Sequence, residues 1–469
     1  MELFYDNSTI TAICTAPGMA GISIVRLSGA DAYPIADAFC KNSPILPSAM
    51  APGTFRLFHL RDPSDASPID EAIVLAFRAP NSYTGEDVIE FQIHGGRISA
   101  TRVMKGLIHC GARPAEPGEF SKRAFLNGRM DLSEAEAVID IISAQSERAG
   151  RAAAEQLEGS LGRRVNACYD ELMTICADVE ASLDFADYES TGILEEVDVT
   201  ARISDIRSNL EKLAATWREG ILLREGALVV LSGIPNSGKS TLFNAMLGAF
   251  RSIVTDIPGT TRDSIEEAML LNGIPLRITD TAGLRDSDGI VERIGIDRAK
   301  KLIANADVNL RIIDMTAEIE PQLSWIDDTA ADPLKTIAVL NKSDIAPRDR
   351  VSTLPQELAA KDFTTVIVSA KTGAGIDELK AAMTKKICDD LPDEGGQDVA
   401  VSTRHHTLLK EGIEALDEAL ELYKHDAENA AVFCAQSLRR AAESIGEITG
   451  RTYSEDLLDI IFSRFCIGK

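Results

Sequence analysis

The sequence has no run of about 18 uninterrupted apolar residues, the length a membrane-spanning helix needs. Its opening, MELFYDNSTI, has no basic segment ahead of an apolar one, so no secretory signal is expected. The expected location is cytoplasmic, with no membrane partner. Cysteine is sparse and scattered: eight residues, at 14, 40, 110, 168, 176, 388, 434 and 466, form no C-x-x-C pair. That spacing excludes a disulfide framework and a zinc ribbon, and fits reduced thiols. Six histidines form no H-E-x-x-H spacing, so no transition-metal site is expected. Basic residues are also in short supply, with 48 Lys and Arg against 73 Asp and Glu, for a net charge of −25. Affinity for nucleic acid comes chiefly from cations neutralising phosphates, so the chain does not read as a stand-alone RNA binder. If it acts on RNA, a basic partner or a small local patch must supply the contact.

What is present is enough chain for two to four domains, at 469 residues with 45% hydrophobic and 26% charged content. Residues 1–128 mix β-rich runs (GISIVRLSG, EAIVLAFRAP, DVIEFQIHGG) with Pro and Gly turns, the texture of an α+β domain. Residues 129–223 turn helical. Ser133 with Glu136 reads as a capping box. Leu161, Val165, Cys168, Leu172, Ile175 and Val179 then recur four and three apart, as do Ile203, Ile206, Leu210, Leu213 and Trp217. Each series puts an apolar stripe on a helix that must pack against others. Residues 224–388 alternate strand and helix, with buried-type runs ALVVLSG, PLRITD, VNLRIID, TIAVLNK and TTVIVSA, the pattern of a doubly wound, mostly parallel sheet. Acidic LPDEGGQD then reads as a linker into residues 389–469, where Leu409, Ile413, Leu416, Leu420 and Tyr423 resume the helical stripe. The simplest arrangement is one helical domain made from both flanks, with the α/β domain inserted between them.

Gly233–Ser240 reads GIPNSGKS between a strand and a helical segment, which satisfies G-x-x-x-x-G-K-S. Such a loop wraps a β-phosphate in backbone N–H groups at a helix N-terminus. Gly233, Asn236, Ser237, Gly238 and Thr241 belong to that cradle, Lys239 reaches the β/γ oxygens, and the Ser240 hydroxyl ligates Mg²⁺. DTAG, comprising Asp280, Thr281, Ala282 and Gly283, follows another strand. Its carboxylate belongs near Mg²⁺ and its glycine amide near the γ-phosphate. NKSD supplies Asn341, Lys342 and Asp344, the last able to accept two hydrogen bonds from guanine where adenine would leave it unpaired. SAK (Ser369, Ala370, Lys371) brings a backbone amide towards guanine O6. Four motifs in this order at strand ends specify GTP over ATP.

VTDIPGTTRD holds the first switch, with Thr255, Asp256, Ile257, Pro258, Gly259, Thr260 and Thr261, of which Thr261 completes the Mg²⁺ shell. Leu284 stands where many GTPases place a water-orienting Gln, so hydrolysis needs another group. Glu292 in GIVERIGI is the candidate; read from the residues alone it serves equally as a solvated helix-face charge.

GIPNSGKS, TDIPGTTRD, DTAGLRDSDGIVERIGIDRA and a terminal FCIGK together resemble the MnmE family of tRNA-modification GTPases, also called TrmE, within the TrmE/Era-like P-loop group. The likeness runs end to end. It takes in NSYTGEDVIEFQIHGG, PGEFSKRAFLNGRMDLSEAEA and SIGEITGRTYSEDLLDIIFSRFCIGK. It implies an N-terminal tetrahydrofolate-binding and dimerisation domain (1–128), a split helical-bundle domain (129–223 and 389–469) and an inserted G domain (224–388). It also implies K⁺ held by Asn236, Thr255, Ile257 and Thr260 in place of an arginine finger, and Glu292 as catalytic glutamate through a bridging water. Folate contacts fall on Arg26, Glu90, Arg129 and Lys469, with 5,10-methylene- or 5-formyl-tetrahydrofolate as the one-carbon carrier. Cys466 takes a catalytic role on this likeness and an inert buried one on composition. The family commonly has Arg where this chain has Ile234, a side chain the backbone cradle does not use.

The implied reaction places a carboxymethylaminomethyl or aminomethyl group on C5 of the wobble uridine, U34. The implied assembly is a homodimer in a heterotetramer with the FAD-dependent protein MnmG, which offers the tRNA its basic surface. Two other classes share part of the pattern. A regulatory or ribosome-assembly switch GTPase predicts no folate affinity. A folate enzyme whose GTPase part is only regulatory would modify tRNA without hydrolysis.

Overall fold

A computed structural model describes residues 8–184, 196–249, 251–252, 268–280, 300–323, 332–388, 401–425 and 427–469. Contacts divide the chain into two compact units. One comprises Met1–Ile139, Leu157–Leu210 and Leu408–Lys469, the other Asp140–Gln156 and Glu211–Thr407. Residues 140–156 and 211–223, helical in texture, therefore group with the α/β stretch, and the N-terminal sheet groups with helices from both flanks. The LPDEGGQD stretch lies outside the described residues.

The first unit holds a six-stranded sheet of β1 (Ile10–Ile13), β2 (Ala20–Ser28), β3 (Thr54–Arg61), β4 (Pro68–Phe77), β5 (Val88–Gly95) and β6 (Arg113–Pro114). Its order is β3-β4-β5-β2-β1-β6, antiparallel except where β6 runs beside β1. Alternation along the strands sends Val25, Leu27, Phe58, Val74 and Phe91 to one face, where helices Ala32–Phe39 and Arg97–His109 cover them. The opposite face keeps apolar residues in the open. Phe55 is 68% and Leu57 63% exposed, and Leu57 stands directly across from exposed Ile73.

The expected stripe at 161–179 is buried along the helix Ser160–Asp184, which packs on the helix Ala427–Thr449. The 203–217 stripe needs correction. One helix runs Glu196–Ala215 and a new one begins at Trp217, because Thr216 turns its hydroxyl back onto the Leu213 carbonyl at 2.8 Å.

A second correction concerns the helix Leu132–Ser143. Its cap is Asp131 rather than Ser133. Asp131 Oδ1 accepts the Glu134 amide at 2.9 Å, and Glu134 Oε2 accepts the Asp131 amide at 2.8 Å. The box therefore forms two residues earlier than expected, between Asp131 and Glu134, and the Ser133 hydroxyl donates to the Asp131 carboxylate at 2.7 Å. Asp131→Ala is expected to cost about 1–2 kcal/mol. Urea unfolding followed on the first unit checks this, and an unchanged midpoint would remove the cap from the account.

The second unit holds β7 (Ala227–Ser232), β8 (Arg251–Ser252), β9 (Ala268–Leu271), β10 (Ile274–Asp280), β11 (Val308–Asp314), β12 (Thr336–Asn341) and β13 (Thr364–Ile367), in the order β13-β12-β11-β7-β10-β9-β8. The five apolar runs read from the sequence are its five parallel strands, and β8 and β9 complete one edge antiparallel. Val229, Leu231, Ile278, Leu310 and Val339 form its core with Leu242 and Met246 of the helix Lys239–Ala249 and Leu379 and Met383 of the helix Ile376–Cys388. A polar chain runs through this interior: Ser232 Oγ donates to Asn309 Oδ1 at 2.8 Å, and Asn309 Nδ2 reaches Thr336 Oγ1 at 3.4 Å. Among the described residues no helix is long and apolar enough to cross a membrane.

Candidate functional site

Parallel strands end on the same edge of a sheet, and crevices at those carboxyl ends are where ligands bind in doubly wound folds. In register, Asp280 stands beside Leu231 and Asp314 beside Asn341. The GIPNSGKS loop follows Ser232 at the end of β7, so the strand ends bring it, Asp280 and the NKSD and SAK segments to one rim.

The loop leaves Asn236 exposed with φ at 60° and turns at Gly238 with φ at 96°. Ser237 is wholly buried. Its hydroxyl belongs to the loop interior and has no hydrogen-bond partner among the described residues. Lys239 Nζ donates to the carbonyls of Gly233 at 3.0 Å and Ile234 at 2.9 Å, which holds the ammonium inside the loop's own ring. Ser240 and Thr241 face solvent at the start of the helix Lys239–Ala249, where helix N–H groups and the dipole favour anionic oxygens. Ile234 contributes its carbonyl, which also accepts the Ser237 amide.

Asn341 ties the motifs together. Its Nδ2 donates to the Ser237 carbonyl at 2.9 Å, and its Oδ1 accepts the amides of Lys342 at 2.8 Å and Ala370 at 3.1 Å. One buried side chain therefore fixes phosphate loop, NKSD and SAK to one another. Asp344 is exposed, and one of its oxygens accepts the Ser369 hydroxyl at 2.7 Å, which aims the carboxylate. Lys371 is exposed on the same loop. Thr255, Asp256, Ile257, Pro258, Gly259, Thr260 and Thr261 of the first switch, Thr281, Ala282 and Gly283 of DTAG, and Leu284 and Glu292 lie outside the described residues.

A second cluster lies on the open side of the first unit's sheet. Arg26 on β2 and Glu90 on β5 stand directly opposite and pair at 2.8 Å, with side chains 13% and 15% exposed. The guanidinium stacks over Tyr83 at 4.7 Å and Phe120 at 5.4 Å, and its Nη1 is buried without a partner among the described residues. The terminal segment closes on this cluster. Ile467 bridges to Pro117 and Gly468 packs so close that a Cβ would lie 2.5 Å from the Ile13 carbonyl. Lys469 thereby comes within electrostatic reach of Cys14, together with Arg26 and Glu90. Burial pushes the Cys14 thiol up, while Arg26 and Lys469 pull it down and Glu90 pushes it up. Arg129 is exposed against Gly85, two residues along from Tyr83.

Cys466 is exposed, which removes the buried-thiol reading. None of the eight cysteines is in a disulfide. Sequence reasoning passed over Cys14 and Tyr83, whose signal is register: Cys14 follows β1, which pairs with the strand carrying Arg26. It also passed over Asp314, the terminal acid of a strand otherwise read as buried apolar.

Two family models match the chain: one described as the MnmE helical domain, over residues 132–466, and one as the GTP-binding protein TrmE N-terminus, over residues 9–129. The chain is 41% identical over 470 residues to a Neisseria meningitidis protein named tRNA modification GTPase MnmE, covering 99% of this chain and all of that one. A Moorella thermoacetica protein of the same name is 41% identical over 467 residues, again covering 99% of this chain and all of its own length. Among solved structures, the G-domain of FeoB from Methanococcus jannaschii matches 34% of this chain and 97% of its own, at 27% identity and a TM-score of 0.26.

Proposed function

Because this chain belongs to the MnmE family and is a GTPase, we propose that it couples GTP hydrolysis to C5 modification of the tRNA wobble uridine, U34. The observation that carries the reading is Asn341, whose bonds join the phosphate loop to both guanine segments at one sheet edge. In this reading residues 224–388 are the G domain, 1–128 the folate-binding and dimerisation domain, and 129–223 with 389–469 the split helical domain.

Lys239, Ser240 and the loop amides hold the phosphates, and Asp344 and Ala370 read the base. The donor set fits the implied cations. An exposed hydroxyl at Ser240 with Thr261 suits Mg²⁺, and the Asn236 side-chain oxygen with Thr255, Ile257 and Thr260 suits K⁺. Bound there, the cations neutralise charge that develops between the β- and γ-phosphates. Glu292 orients the attacking water in place of the missing Gln. The Arg26 cluster suits a tetrahydrofolate: two ring faces, a paired carboxylate at Glu90 and an unspent buried guanidinium N–H for an acceptor. Arg129 and Lys469 add cations for the folate's glutamate end, and Cys466 stands exposed beside it as the candidate thiol.

The open apolar stripe of Phe55, Leu57 and Ile73 supports a homodimer, since an uncovered sheet face of this kind marks an interaction surface. With a net charge of −25, tRNA recognition falls largely to the partner MnmG in a cytoplasmic heterotetramer.

GTP turnover in K⁺ and in Na⁺ buffer, with Glu292→Ala alongside, tests the reading. Turnover in K⁺ is expected to exceed that in Na⁺ and that of the variant by on the order of a hundred-fold. Equal turnover in both salts would leave a generic switch GTPase.

A further inference from the structure

We propose that Asp314 is a positioning residue for guanine-nucleotide binding, acting through Lys342. The inference rests on the guanine-site reading above and extends it to a residue outside the four nucleotide motifs.

Asp314 is the last residue of β11 and is only 6% exposed. One carboxylate oxygen is spent locally, accepting the amide of Thr316 at 2.8 Å and its hydroxyl at 2.6 Å. The other accepts Lys342 Nζ at 2.6 Å. Lys342 lies in NKSD between Asn341, which reaches the phosphate loop, and Asp344, which faces the base. It holds a left-handed backbone with φ at 65°. A long ammonium side chain has many rotamers, so an ion pair at its tip determines where its alkyl stem lies. Held by Asp314, that stem forms a fixed apolar shelf at the base pocket, and without Asp314 it swings free.

The support behind Asp314 is unusually complete for a loop. Gln322, 1% exposed, accepts the Asp314 amide at 2.8 Å and donates to the Asp314 carbonyl at 3.0 Å. Arg350 clamps the following turn through the carbonyls of Met315 at 2.9 Å and Ala317 at 2.6 Å. Residues 314–317 are thus braced from two sides, and Asp314 ties them to a nucleotide motif through its ion pair with Lys342.

The test is titration of the full chain with a fluorescent GDP analogue, with inorganic tripolyphosphate as a base-free competitor. Asp314→Asn is expected to weaken GDP roughly ten-fold, the size of a lost charge-assisted hydrogen bond, with tripolyphosphate affinity unchanged. Adding Lys342→Met, which keeps the stem, should cause no further loss. Equal weakening of both ligands means Asp314 only braces the loop, and additive losses mean it does not act through Lys342. Either result overturns the proposal. Asp344→Asn separately examines the guanine-site reading: it should exchange GDP preference for xanthosine diphosphate, whose 2-oxo group accepts from an amide. If that exchange fails, the site reading fails, whatever Asp314→Asn does.

Discussion

Replacing Gly238 by Ala is expected to weaken GTP binding by on the order of a hundred-fold while the sheet still folds. At φ 96° an L side chain is strained, and its Cβ would stand 2.3 Å from Asn341 Nδ2. That amide cannot retreat alone. It holds the Ser237 carbonyl, and the same side chain's oxygen holds the amides of Lys342 and Ala370. One methyl group therefore disturbs the phosphate and base halves together. Gly248→Ala is the matched control. It lies in the helix that follows the loop, its added Cβ meets nothing within 4 Å, and Ala is the better helix former. Fluorescent-nucleotide titration with circular dichroism separates the cases, and wild-type affinity in Gly238→Ala would show that Asn341 is not a joint of the site.

The second large effect is expected at Arg26→Ala, in the other unit. The pair with Glu90 is mostly shielded, so removing the cation leaves a carboxylate unpaired at 15% exposure and takes away the group that stacks on Tyr83 and Phe120. The expected loss is about 2–4 kcal/mol, below the fully buried limit because both side chains keep some solvent. Glu90→Gln added to Arg26→Ala should recover part of it, since no charge is then left alone. Binding of 5-formyl-tetrahydrofolate and tRNA modification should be lost with GTP turnover kept. Thermal unfolding, folate titration and turnover on the same preparation check all three, and an unaltered folate affinity would move the one-carbon site elsewhere.

Much of this was legible in the residues because the relevant forces are local. Val229, Leu310 and Val339 sit in apolar runs that only a buried parallel strand tolerates, and the 161–179 stripe can pack only as one helix face. Motifs such as GIPNSGKS carry their own geometry. The misses have a common cause, which is choice among near-equivalent local options. Asp131 and Ser133 both cap helices, and the carboxylate that also receives the Ser133 hydroxyl prevails. Thr216 breaks a helix that the apolar period alone would continue to Trp217. Asp314 was illegible because its partner is set by strand register, β11 beside β12, and not by spacing along the chain. Cys466 looked inert by composition, yet it and Ile467 are exposed between buried Phe465 and buried Gly468.

That tail has a consequence for biosynthesis. Ile13 and Cys14 leave the ribosome long before Gly468, which packs on them. The sheet can pair and bury its helices long before that contact exists, and contacts between such distant positions form slowly. A chain broken after the last strand of the sheet and before Cys466 would keep every strand and lack the Ile467 bridge to Pro117 and the cation of Lys469. The cluster around Arg26 is thus assembled from residues more than 400 positions apart, and it is finished only once Ile467, Gly468 and Lys469 have been made and have docked.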